Sequence, residues 1–146
     1  MGEIDVSEYV ENGWISAWFI FDTQAIDKKV VKEILEKMMK QFGKEEGMKV
    51  VSESYSKVKK TEPVPQLKKQ GVDSVYSIML EVELVAKDFE TLLRLVMTYG
   101  PTALEIIEPD EIKLSMRSAQ NALLSVSEMM HRFAIAVQGG VKIKNN

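Results

Sequence analysis

Residues 14–21 read WISAWFIF, a run of aromatic and β-branched residues bounded by Gly13 and Asp22. Such residues favour the pleated, half-buried surface of a strand over a helix. Alternation places Ile15, Ala17, Phe19 and Phe21 on one face and Trp14, Ser16, Trp18 and Ile20 on the other. Both faces are largely apolar, so this strand has to be covered from two sides. Helices on one face supply the first cover; the second has to come from elsewhere, because an apolar patch of that size is seldom left in water.

The rest of the chain is read by period. Ile26, Val30, Val31, Ile34, Leu35, Met38, Met39 and Phe42 recur at helical spacing and predict an amphipathic helix capped by Asp22 or Thr23 and ended by Gly43 or Gly47. Residues 48–60, MKVVSESYSKVKK, predict an exposed edge strand whose lysines discourage edge pairing, ended by Pro63 and Pro65. In 74–85, SVYSIMLEVELV, Tyr76, Ile78, Leu80, Val82 and Leu84 face one way and Ser77, Met79, Glu81 and Glu83 the other. Asp88 is placed to cap a helix carrying Phe89, Leu92, Leu93, Val96 and Met97, which Gly100 and Pro101 close. A short strand follows at about 102–108. Ser115 then caps a long helix in which Met116, Ala119, Leu123, Val126, Met130, Phe133 and Val137 alternate spacings of three and four, the seam of a heptad repeat. Gly139 and Gly140 are expected to stop it, leaving VKIKNN as a strand or frayed tail.

The order strand, helix, strand, strand, helix, strand, helix predicts an α+β protein with the ferredoxin-like split βαβ arrangement, a four-stranded antiparallel sheet with an added long C-terminal helix. All 146 residues suit one domain, 1–146, with loosely ordered ends at 1–12 and 139–146 and a loop insertion at 61–71. Two helices cover one sheet face. The other is covered either by the final helix folding back on its own sheet or by a second copy of the protein, and nine methionines supply adaptable packing for such a surface.

Composition narrows the chemistry. With no cysteines there are no disulfides, thiolate nucleophiles or thiolate metal sites. No run approaches the ~18 apolar residues of a membrane span, and the acidic MGEIDVSEYVEN start is unlike a secretory signal, so the expected location is cytoplasmic and no membrane partner is expected. Charged residues dominated by Glu and Lys, with four Asn, give a thermophile-like composition. A net charge of -3 argues against a dedicated nucleic-acid binder. The basic residues do cluster, however: Lys57, Lys59, Lys60, Lys68 and Lys69 lie in one short stretch, against eight acids in residues 81–111.

No phosphate loop, dinucleotide fingerprint, paired-histidine motif or nucleophile elbow occurs, and no cofactor or metal is implied. His131 lacks a second imidazole, and Glu128 is placed to pair with it or with Arg132 on a helix surface. Glu105 and Glu108 are an odd number apart, which in a continuous strand sends them to opposite faces. Glu108, Asp110 and Glu111 sit at a polar strand end, while Glu81 and Glu83 share a face without a third ligand. A carboxylate-based enzyme is therefore the least favoured reading. An RNA-binding sheet would use Trp14 and Trp18 for stacking, yet Glu81 and Glu83 on the same face repel phosphate, which leaves the lysine cluster as the only basis for nucleic-acid binding.

Residues 92–112, LLRLVMTYGPTALEIIEPDEI, followed by the long helix, carry a local likeness: Leu92, Leu93, Val96, Gly100, Ala103, Ile106, Ile107, Glu108 and Pro109 resemble the C-terminal extension domain of WYL-type transcriptional regulators. The resemblance covers about a third of the chain, without a helix-turn-helix or a WYL strand motif, and implies a ferredoxin-like module used for oligomerisation and effector sensing. The expectation is thus a non-catalytic homo-oligomeric binding or regulatory module, with a small ligand sensed at a subunit interface near Tyr99 and Gly100. Its candidate surface is Trp14, Trp18, Ile20, Met79, Tyr99, Met116, Leu123, Met130 and Phe133.

Overall fold

The computed structural model describes the backbone of residues 3–145 and the side chains of residues 3–137. It is an α+β arrangement of five strands and five helices: α1 (Val6–Glu11), β1 (Ile15–Ala25), α2 (Lys28–Phe42), β2 (Met48–Tyr55), β3 (Lys59–Thr61), α3 (Pro65–Lys69), β4 (Val75–Ala86), α4 (Phe89–Tyr99), β5 (Ala103–Glu108) and α5 (Met116–Asn145). The sheet runs β2-β4-β1-β5, with β3 also paired to β4, and every pairing is antiparallel. The two strands with the strongest apolar alternation, β1 and β4, therefore sit in the middle, joined over eleven residue pairs from Ile15↔Ala86 to Ala25↔Tyr76.

One face of the sheet carries the core. Ile15, Ala17, Phe19 and Phe21 of β1 and Leu80, Val82 and Leu84 of β4 are buried with Val31, Leu35, Met39 and Phe42 of α2 and Leu92 and Leu95 of α4. Phe19, Phe21 and Phe42 meet edge to face, with ring centres 6.0–6.2 Å apart, and Tyr99 closes on Phe42 at 5.0 Å. These offset contacts let ring edges meet the electron-rich faces and add to the burial itself.

Local signals set the helix ends. Asp88 caps α4, its Oδ1 accepting from the Thr91 backbone N at 2.8 Å and the Thr91 hydroxyl at 2.6 Å. Gly100 ends that helix with φ +57°, the left-handed conformation that glycine adopts without steric cost, and its N donates to Val96 O at 2.9 Å. Ser115 caps α5, accepting from Ser118 N at 3.0 Å.

The fold departs from the sequence reading in five places. β1 runs on to Ala25, so Asp27, not Asp22 or Thr23, caps α2 by accepting from Lys29 N at 2.8 Å. The apolar stripe of α2 is split: Val31, Leu35, Met39 and Phe42 are buried, while Ile26, just before the helix, and Val30 and Ile34 are exposed. The expected edge strand is broken into β2 and β3, both on β4, and the expected loop at 61–71 holds the end of β3 and the short helix α3. Residues 6–11, within the end expected to be loose, form α1, whose Asp5 accepts from Glu8 N at 3.3 Å. Finally, the backbone of α5 continues through Gly139 and Gly140 to Asn145, because glycine in a helix costs about 1 kcal/mol but does not forbid it; the side chains of 138–146 lie outside the described residues.

Candidate functional site

The face of the sheet turned away from α2 and α4 is ordered by the strand register. Trp18 stands between Glu83 of β4 and Glu105 of β5; Ile20 stands between Glu81 and Ala103; Asp22 is opposite Met79; Ser16 is opposite Val85 and Glu108. Trp18, Ile20, Met79, Glu81 and Glu83 are half-buried and Glu105 and Glu108 are exposed. The expectation that Glu105 and Glu108 face opposite ways fails for a physical reason. A register shift between Ser16 and Ala17 passes over Ile107, so a bulge brings Glu108 to the same face as Glu105. Four carboxylates thus surround one tryptophan and one isoleucine.

Trp14 belongs elsewhere. Its ring meets Tyr9 of α1 edge to face at 4.8 Å. Ser16 and Val85, which point away from α2 and α4, are nonetheless fully buried, and α1, packed on β1 and β4, is the element that closes that end. The open surface is therefore Trp18, Ile20 and Met79 without Trp14. No periodicity in VSEYVE announces this lid; its signal is Tyr9, one aromatic residue five positions before another.

The long helix α5 leaves the body. It packs on α4, with Ala122 the residue most buried and Ser118, Ala119 and Ser125 partly covered, a stripe of small side chains that lets the two helices approach. At 1.5 Å per residue α4 is about 16 Å long and α5 about 45 Å, so most of α5 has no α4 to lie on. Apart from Ala119, its heptad seam is accordingly bare: Met116 is 86%, Leu123 72%, Met130 63% and Phe133 68% exposed, with Val126 and Val137 also exposed. Since α5 packs on α4, it lies on the helix side of the sheet and does not fold back over its own open face.

Between α4 and α5 lies a groove of about 720 Å³, lined by Met97, Thr98, Met129, Met130, Arg132 and Phe133. Tyr99, expected at such a cleft, points into the body instead. Its ring packs on Phe42 and its hydroxyl donates to Glu45 Oε1 at 2.7 Å. Burial, and then the bond to Glu45, push the Tyr99 phenol up to about 12, so it is a neutral donor at physiological pH. Arg94 completes this corner, donating to Glu46 O at 3.0 Å and lying 3.8 Å from Glu45.

The lysines form an exposed edge. Lys59 and Lys60 lie on β3, Lys57 just before it, and Lys68 and Lys69 in the last turn of α3, where Lys68 is paired with Glu62 at 3.1 Å. Glu81, Glu83, Glu105 and Glu108 share a face but sit on two strands, β4 and β5, separated by β1, and among the described residues no three acidic or imidazole groups come together as metal ligands. His131 is exposed on α5. Among the described residues no helix is long and apolar enough to cross a membrane.

The features define a class: an α+β protein with one closed core, one acidic and apolar sheet face, and a protruding apolar helix. A family model, the MJ0538 family, matches residues 16–146, and the chain belongs to that family. The match takes in both the open sheet face and α5. Searches of curated proteins and of solved structures find no match.

Proposed function

We propose that this protein is a non-catalytic, self-associating binding module with a ferredoxin-like core, and that α5 is its association element. The observation that carries the reading is the bare seam Met116, Leu123, Val126, Met130, Phe133 and Val137 on a helix about three times the length of the one it packs on. Apolar side chains repeated at intervals of three and four are the pattern by which helices find partners. The strand order β2-β4-β1-β5, with α2 and α4 as the crossovers on one face, supports the split βαβ reading. The local likeness of residues 92–112 to the WYL-type extension, which implies an oligomerising module, is in keeping with this reading.

A narrower reading places a small apolar ligand in the groove between α4 and α5. Met130 and Phe133 belong both to the groove and to the seam, so a ligand there would bear directly on association. Its test is a thermal-shift screen of hydrophobic metabolites: binding raises the melting temperature, and binding at this site is abolished by Met97→Asp. The association itself is tested by light scattering on the full chain. A dimer or larger species at micromolar concentration supports the reading, and a monomer at every concentration contradicts it.

A further inference from the structure

We infer that the seam of α5 is covered by α5 of a second copy running antiparallel to it, in a two-fold dimer centred between Leu123 and Val126; this rests on the self-association reading and names the surface and the direction of the contact. The seam itself selects the occupant. From Met116 through Ala119, Leu123, Val126 and Met130 to Phe133 the steps are 3, 4, 3, 4 and 3 residues. That makes a strip about 26 Å long and one helix wide. Its cover has to be a helix of the same period, because knobs every 3.5 residues need holes at the same interval. A second exposed stripe, Ile26, Val30 and Ile34 at and just before the start of α2, recurs every fourth residue and spans only about 12 Å. The open sheet face is no better match, since Glu81, Glu83 and Glu105 flank Trp18 and Ile20 and the seam has no cation to offer them. At about 100° per residue, Arg117, Glu128 and Arg132, the charged residues of 115–137, lie about 150° or more around α5 from the middle of the seam. The half of the helix that carries the seam is therefore uncharged there, as the cores of interfaces are.

The direction follows from the order of side chains along the strip. Steps of 3, 4, 3, 4 and 3 read the same backwards, so two antiparallel copies keep every layer in step. Met116 then meets Phe133, Ala119 meets Met130 and Leu123 meets Val126, each pair occurring twice about the two-fold axis. The smallest side chain faces a long, flexible one, and the layers fill evenly. A parallel pair would set Ala119 on Ala119, leaving a gap, and Phe133 on Phe133. It would also lay side by side two segments, residues 129–146, that carry Arg132, Lys142 and Lys144 and no acid. The antiparallel register seats all four of the most exposed members of the seam, Met116, Leu123, Met130 and Phe133. With Val126 these present roughly 650 Å² per copy, on the scale of the ~800 Å² per partner in a stable interface.

The test reads partner and direction from disulfides, because the wild-type chain has no cysteine. Full chains carrying Ala119→Cys or Met130→Cys, one lengthened by a tag so that products separate by mass, are mixed under reducing conditions to exchange subunits and then mildly oxidised. A disulfide needs Cα atoms within roughly 7 Å. In the antiparallel dimer position 119 faces position 130 of the other copy, whereas like positions lie about 16 Å apart along the axis. The expected product is the mixed disulfide, at least about tenfold over either self-linked dimer. Glu81→Lys with Glu83→Lys, on the sheet face, is expected to leave the dimerisation constant within about twofold by light scattering. Efficient self-linking of Met130→Cys, absence of the mixed disulfide from a dimeric mixture, or loss of the dimer in the Glu81 and Glu83 variant would each overturn this inference and leave self-association standing. A wild-type chain that is monomeric at every concentration overturns both.

Discussion

Adjacent residues of β1 meet opposite surroundings. Phe19 stands between Val82 and Leu104 under α2 and α4, and Trp18 stands between Glu83 and Glu105 on the open side. Both are large aromatic residues on one strand, and they do different work. Where the cross-strand neighbours are aliphatic, the ring is part of the core; where they are carboxylates, the ring stays half-buried at a polar outer face. The same contrast separates the two helices at the C-terminal half. The short α4 buries Leu92 and Leu95, while the long α5 buries Ala122 and shows its leucines, methionines and phenylalanine to solvent.

Substitutions can widen or collapse that contrast. They are best measured by denaturant titration at one fixed protein concentration, because association adds to apparent stability. The largest loss is expected for Phe19→Ala, about 3–5 kcal/mol, since the fully buried ring leaves a cavity among Phe21 and Phe42. Trp18→Ala in a chain kept monomeric is expected to cost roughly half as much, because the half-buried ring gives up less area. Equal costs would mean that the open face is as closed as the core.

Tyr99→Phe is expected to cost about 1 kcal/mol at neutral pH through the lost bond to Glu45. The pH dependence has a definite sign. The folded state holds the phenol at about 12, above the ordinary value of 10.0, so its contribution is complete below pH 10 and is lost as pH rises through 12. Wild type should therefore lose stability more steeply than Tyr99→Phe between those values. Tyr55, also raised, by burial and then by Glu53 and Glu36, supplies a slope common to both proteins. Leu123→Asp is expected to have the smallest effect on the isolated fold, within about 0.5 kcal/mol, because its side chain is largely in solvent.

Much of the core was legible because its signals are local and periodic. β4 alternates cleanly, Asp88 and Gly100 bracket α4, and Ser115 starts α5, each within a few residues of its partner. What was not legible depends on distant pairing. The bulge at Ile107 exists only against β1, and it reverses the face of Glu108. The lid α1 exists because Tyr9 meets Trp14 and the ends of β1 and β4. Helical period alone likewise did not separate buried Val31 from exposed Val30, since both fit the stripe until the sheet sets the angle of α2. For the candidate surface, the seam of α5 was legible as a pattern, whereas its exposure followed only from the unequal lengths of α4 and α5. Tyr99 was misplaced because a tyrosine beside a helix-ending glycine can turn inward as readily as outward.

The central claim is that α5 brings copies of this chain together. The direct measurement is molar mass by light scattering across a concentration series, for wild type and for a chain carrying Leu123→Asp and Phe133→Asp. The account predicts about twice the 16.6 kDa chain mass, or a higher multiple, for wild type and 16.6 kDa for the variant with its fold intact. A wild-type mass of 16.6 kDa at every concentration, or a variant that assembles as well as wild type, would contradict it.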